Sequence, residues 1–161
     1  MAKELHIERT FDAPVVRIWR ALTEPREVMK WWGPRGFSAP IVKMDFRVGG
    51  KYLYCMRASE EIAKAMGRQD FWSTGTYKEI VPMKKIVVVD SFSDEKGNVV
   101  SSAYYGMAGM PMETISTITL EEKGGKTQLT LRYPGVPEGQ MLEQAAQGWN
   151  ESFDKLAESL K

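Results

Sequence analysis

The spacing of apolar residues changes period several times along the chain, and each change marks an element. From Leu5 to Phe11 the apolar positions Leu5, Ile7 and Phe11 recur mostly at every second residue, which predicts a half-buried first strand. Asp12-Ala13-Pro14 ends it: Asp12 is a natural N-cap, and Pro14 fits just inside a helix start, where its missing N–H costs nothing. Val15, Ile18, Trp19 and Leu22 then follow at helical spacing. A second short helix is expected from Glu24-Pro25 through Val28 and Met29 to Trp31-Trp32, stopped by Gly33-Pro34.

From Pro40 the period becomes two. Val42, Met44, Phe46 and Val48 alternate with Lys43, Asp45 and Arg47, the pattern of an antiparallel strand with one wet face. Gly49-Gly50 reads as a two-residue hairpin turn with both glycines at positive φ, and Lys51 to Arg57 returns with Tyr52, Tyr54 and Met56 on one side. Further strands are expected over Phe71 to Ile80, Lys85 to Phe92, Met112 to Glu121 and Thr127 to Tyr133, the last pair joined by Lys123-Gly124-Gly125. After Pro134-Gly135-Val136-Pro137 comes the longest helical stripe: Leu142, Ala145, Ala146, Trp149, Phe153, Leu156 and Leu160. Only the apolar face of the sheet is large enough to bury that stripe. The pattern therefore predicts an α+β domain, with a curved antiparallel sheet of about six to seven strands packed on a long C-terminal helix and two short helices after the first strand.

Composition narrows the function. A chain of 161 residues fits one domain spanning 1–161. Twenty-two Lys plus Arg against 21 Asp plus Glu leave a net charge of +1, so nothing draws the protein to a polyanion and nucleic acid is not an expected partner. The single cysteine, Cys55, excludes internal disulfides, zinc fingers and iron–sulfur sites. No uninterrupted apolar run suits a signal peptide or membrane span, and a cytoplasmic setting is expected. No pattern implies a metal or cofactor. His6, the only histidine, alternates against Leu5 and Ile7 and is expected to face away from the core, which leaves no Ser-His-Asp or Cys-His set. Asp45 and Arg47 read as a surface ion pair, and Cys55 as a small packed residue.

The distinctive composition is ten methionines and five tryptophans, several on inward-facing positions. Buried tyrosines need partners for their hydroxyls and methionine adapts to irregular space, so a partly polar cavity for an apolar ligand competes with a plain core. The candidate lining is Tyr52, Tyr54, Met56, Trp72, Met107 and Met112 from the sheet and its loops, with Met141, Ala145 and Trp149 from the last helix. Ser59 to Arg68 and the loop from Tyr104 to Pro111 are candidate lids; alternatively they bury against a second copy of the chain as a homodimer. An enzyme using an acid or base in that cavity is a further reading. It would be supported by a buried carboxylate such as Asp90 beside Tyr52 or Tyr54.

Several separated landmarks carry a resemblance. Phe11-Asp12-Ala13-Pro14 with Ile18-Trp19, Trp31-Trp32-Gly33-Pro34, Asp45 to Gly50, Gly75-Thr76-Tyr77 with Glu79-Ile80, and Gly148-Trp149 resemble, in order, homologues of the C-terminal domain of the activator of heat shock protein 90 ATPase. These are members of the START-like (SRPBCC, helix-grip) superfamily. The resemblance implies a helix-grip fold with a deep cavity between sheet and C-terminal helix. It also implies a small hydrophobic molecule such as a lipid, sterol or polyketide as the ligand, bound without catalysis in most members. A minority of members are cyclases, dehydratases or hydrolases, so the resemblance also implies a cyclase- or hydrolase-type enzyme as the alternative, but it carries no catalytic residue set. The family name points to a chaperone ATPase as a partner, but the activator proper resembles a two-domain protein whose N-terminal domain makes the major chaperone contacts, and this chain begins directly with the START-like strand.

Overall fold

A computed structural model of the chain describes residues 2–106 and 109–161. They form seven strands: β1 (Ala2–Phe11), β2 (Phe37–Met44), β3 (Lys51–Ala58), β4 (Asp70–Val81), β5 (Lys85–Ser93), β6 (Thr114–Lys123) and β7 (Lys126–Pro137). Four α-helices accompany them: α1 (Val15–Thr23), α2 (Pro25–Val28), α3 (Glu60–Met66) and α4 (Gln140–Ser159). Every neighbouring pair is antiparallel, in the order β1-β7-β6-β5-β4-β3-β2. The sheet is thus a meander from β2 to β7 with β1 added beside β7, curled around α4 as in the helix-grip fold. No helix among the described residues is long and apolar enough to cross a membrane.

The core is laid down by the two periods read from the sequence. Leu129 and Leu131 of β7 and Phe153 and Leu156 of α4 are fully enclosed. The Phe153 ring stacks on Trp31 at 6.1 Å and meets the edge of Phe11 at 6.3 Å, so one helix residue ties the first strand and the turn after α2 together. Polar cross-links secure the same half of α4. Arg9 donates to the Asn150 carbonyl at 3.1 Å and to Asp154 at 2.7 Å, and Lys155 Nζ donates to the carbonyls of Gly33 and Phe37 at 2.9 and 3.0 Å. No residue of α4 before Ser152 is fully buried.

Four expectations are corrected. Asp12 does not cap α1: Pro14 occupies the cap position without a side-chain bond, and the Val15 N–H is satisfied from across the chain by Glu122 Oε1 at 2.8 Å. The second helix closes at Val28, although turn bonds continue from Val28 to Trp31 and Trp32. Gly49-Gly50 is not a two-residue hairpin, because β2 stops at Met44 and a wide loop follows; only Gly49 has positive φ. Gly50 is there for space, since a Cβ would lie 2.0 Å from the Asp45 carbonyl oxygen. That loop also carries Val48 out of the sheet, leaving it 60 % exposed. By contrast Gly124 and Gly125 both take positive φ, 58° and 81°, and close β6 onto β7 as a two-residue turn.

The fourth correction concerns the first candidate lid. Ser59 to Arg68 folds as α3, capped by the Ser59 hydroxyl and closed by left-handed Gly67, and Ile62 and Ala63 seal a second, smaller cluster around Ala58, Phe71 and Tyr105. Tyr105 is pinned, its hydroxyl donating to the Ser93 carbonyl and accepting from the Trp72 N–H at 3.0 Å. The helix α3 therefore covers this second cluster rather than the space between sheet and α4, whereas in the other segment Tyr105 belongs to the second cluster and Met110 packs against the main core. Met107 falls outside the described residues.

Candidate functional site

Between the sheet and α4 is a cavity with about 60 Å³ of free volume. This is room for a few water molecules, against the roughly 300–1,000 Å³ of pockets that enclose drug-sized ligands. Trp31, Trp32 and Trp149 wall one side, and Tyr52, Tyr54 and Tyr77 stand on the strands opposite. The rings meet edge to face: Trp32 lies 4.8 Å from Tyr54 and 5.5 Å from Trp149, centroid to centroid.

In this aromatic lining sits a carboxylate. Strand alternation puts Tyr52, Gly75 and Asp90 in one row across β3, β4 and β5, since Tyr52 pairs with Gly75 and Gly75 with Asp90. A Cβ at Gly75 would lie 2.2 Å from Tyr52 Cε2 and 3.0 Å from Asp90 Oδ1. With no side chain there, the Tyr52 ring crosses over β4 and its hydroxyl donates to Asp90 Oδ1. From β6, Ser116 Oγ donates to Asp90 Oδ2 at 2.6 Å. Among the described residues no Lys, Arg or His lines the cavity, and the donors that hold Asp90 are neutral.

Burial pushes the Asp90 carboxyl up to about 6, against the pull of the Ser116 and Tyr52 hydrogen bonds. The same desolvation drives Tyr52 and Tyr54 well above the ordinary phenol range and Tyr77 up to about 12, so these hydroxyls keep their protons at neutral pH. Tyr77 Oη is buried near Tyr54, but the geometry makes no hydrogen bond and leaves it without a partner.

Of the sequence-derived candidates, the fold brings Tyr52, Tyr54 and Trp149 together at the cavity. Ala145 packs on the same core further along α4, while Met141 is only half-buried and outside that cluster. Met56 joins the second cluster, because β3 runs past the cavity toward Phe37 and α3. Trp72 has the wrong parity: Phe71, Gly75 and Tyr77 face inward, and Trp72 pairs beside Cys55 on the other side. Met112 is 50 % exposed, in the loop before β6. Cys55 is wholly buried with its thiol raised to about 11, first by desolvation, which suits packing rather than nucleophilic attack.

Asp90, named from the sequence as a candidate buried carboxylate, and Ser116, which was not, both carry a signal in the pattern. Ile86, Val88 and Asp90 share one face of β5, so a carboxylate continues an apolar stripe, and Ser116 does the same beside Ile118 and Leu120 on β6. A broader depression of about 510 Å³ between Lys30, Arg35 and Lys155 is open to solvent, and its cations are engaged, Arg35 by Glu158 and Lys155 by backbone carbonyls.

The chain is similar to solved structures along nearly its whole length. A protein from Chromobacterium violaceum is 31 % identical with a TM-score of 0.76, covering 97 % of this chain and 95 % of its own. One from Arthrobacter aurescens is 26 % identical with a TM-score of 0.78, covering 99 % and 86 %. A third, from Nitrosomonas europaea, is 23 % identical with a TM-score of 0.75 over 98 % and 94 %, and shares the fold. No curated protein matches the chain. Residues 12–161 match the family described as activator of Hsp90 ATPase homolog 1-like protein, and the chain belongs to that family.

Proposed function

We propose that the protein binds a small amphipathic molecule between the sheet and α4 without transforming it, the apolar part against Trp32 and Trp149 and the polar part at Asp90 and Tyr77. One observation carries this reading: among the described residues, a desolvated carboxylate with no countercharge and a buried hydroxyl with no partner line the same cavity. A sealed core gains nothing from either group, and each costs free energy that an arriving polar group would recover. The free volume is too small for such a molecule, so Trp32 and Trp149, both half-buried, move aside on binding. Native mass spectrometry of gently purified protein, followed by extraction, is expected to reveal one small molecule per chain. The bare chain mass, together with unmoved indole resonances of Trp32 and Trp149 across a panel of amphipaths, would refute the reading.

The placement of Asp90 beside Tyr52 favours one alternative, an acid–base enzyme in the same cavity. A carboxyl titrating at about 6 is suited to taking a proton near neutrality. Turnover of an extracted ligand that stops in Asp90→Asn would replace simple binding by this second reading.

A further inference from the structure

The hydrogen-bond inventory around Asp90 restricts the chemistry of the molecule that fits there. A hydroxyl has one proton. Tyr52 gives its proton to Asp90 Oδ1 and Ser116 gives its proton to Oδ2. Both hydroxyls therefore turn only lone pairs toward the cavity, and the ionised carboxylate has nothing but lone pairs. The nearest ring walls are π-faces and edges of Trp32, Tyr54 and Trp149, arranged at 70° and 90° to one another. The indole N–H of Trp31, the deepest of the three tryptophans, is already spent on the Ala21 carbonyl at 2.8 Å. Tyr77 Oη, 4 % exposed as a residue and unpartnered, can accept a bond and still has its own proton to give. Around Asp90 the floor thus offers acceptors from the carboxylate, Tyr52 and Ser116, bears one negative charge and, among the described residues, no positive one, and is ringed by aromatic groups.

Resting on the binding reading above, we propose that the cavity selects a lipophilic amine, whose ammonium group donates to Asp90, Tyr52 and Tyr77 and lies against the aromatic rings. An ammonium supplies up to three donors and the missing countercharge, and rings at its flank add cation–π attraction. An alcohol supplies one donor and no charge. A fatty acid brings a second carboxylate into a space that already desolvates one, so it is excluded.

The test compares octylamine, 1-octanol and octanoate at about pH 8, where both Asp90 and the amine are ionised. Affinity is read by calorimetry, and location by the indole N–H resonances of Trp32 and Trp149. Octylamine is expected to shift those resonances and to bind at least about tenfold more tightly than 1-octanol, with octanoate weakest, as charge-assisted hydrogen bonds require. Asp90→Asn is expected to abolish the preference for the amine. If 1-octanol or octanoate moves the same resonances with equal or higher affinity, or Asp90→Asn keeps the preference, the amine inference fails while the binding reading stands. If none of the three moves them, both fail. Should Asp90→Asn not fold, the ranking on the unmodified protein decides alone.

Discussion

Replacing Asp90 with asparagine tests whether the carboxylate is as desolvated as its surroundings imply. In an unfolded chain this carboxyl titrates near 3.8; in the fold burial raises it to about 6. The folded state therefore holds the proton more tightly. Its contribution to stability is complete below the unfolded value and is lost as pH rises through about 6. Two pK units correspond to about 3 kcal/mol, an upper figure because Asp90 keeps some accessible surface where it borders the cavity. Asparagine keeps the shape, accepts a hydrogen bond on its carbonyl oxygen and carries no charge. Urea unfolding of both proteins from about pH 4 to about pH 8 gives the difference directly. The wild-type-minus-variant stability is expected to fall by up to about 3 kcal/mol across that range, with the variant the more stable protein at neutral pH. Subtraction removes Glu27, Asp70 and Glu158, whose carboxyls are held low by Lys30, Arg57 and Arg35 and so act in the opposite sense. A difference that stays flat across the range would refute the desolvation argument.

Two further outcomes follow from the geometry. Gly75→Ala forces a Cβ into the Tyr52 ring and is expected to cost about 1–3 kcal/mol by urea unfolding. The same change in a Tyr52→Leu background is expected to cost less, and equal costs in the two backgrounds would dismiss the close approach as its cause. In hydrogen exchange read by mass spectrometry, peptides from 140–148 of α4 are expected to exchange faster than those from 152–159, because every fully buried residue of the helix lies at Ser152 or beyond. Uniform protection along α4 would contradict that.

The elements were legible wherever the signal was local and periodic. Period two gave the strands of the meander, and the three-and-four spacing from Leu142 to Leu160 gave α4. Errors arose where a distant partner decides the local structure. Nothing near Asp12 announces that Glu122, on β6, will satisfy the start of α1. Nothing near Gly50 shows that the Asp45 carbonyl will close on it. The site divides in the same way. Tyr52, Tyr54 and Trp149 reach the cavity because alternation and helical phase put them on faces that meet there. Met56 obeys the same alternation yet leaves the cavity, because the register of curved strands, not parity alone, decides which part of a face lies under α4. Asp90 had parity in its favour but little sign of its partners, since Tyr52 reaches it only across the gap at Gly75.

That gap links the fold to the proposed binding site more closely than any single cavity residue does. Glycine inside a strand weakens it, and an unpaired buried carboxylate weakens the core. Here the two occur side by side on adjacent strands, and the first makes room for the hydroxyl that partly offsets the second. A stable sheet would be obtained more simply with an apolar residue at both positions. The same reasoning applies to α4, which is cross-linked from Asn150 onward and rests on half-buried Leu142, Ala145, Ala146 and Trp149 before that point. Trp149 stands at the boundary between the two halves and also walls the cavity. The loosely held half of the helix, the Trp149 ring and the polar groups without a countercharge or partner therefore coincide, which is the arrangement the proposed binding mode calls for.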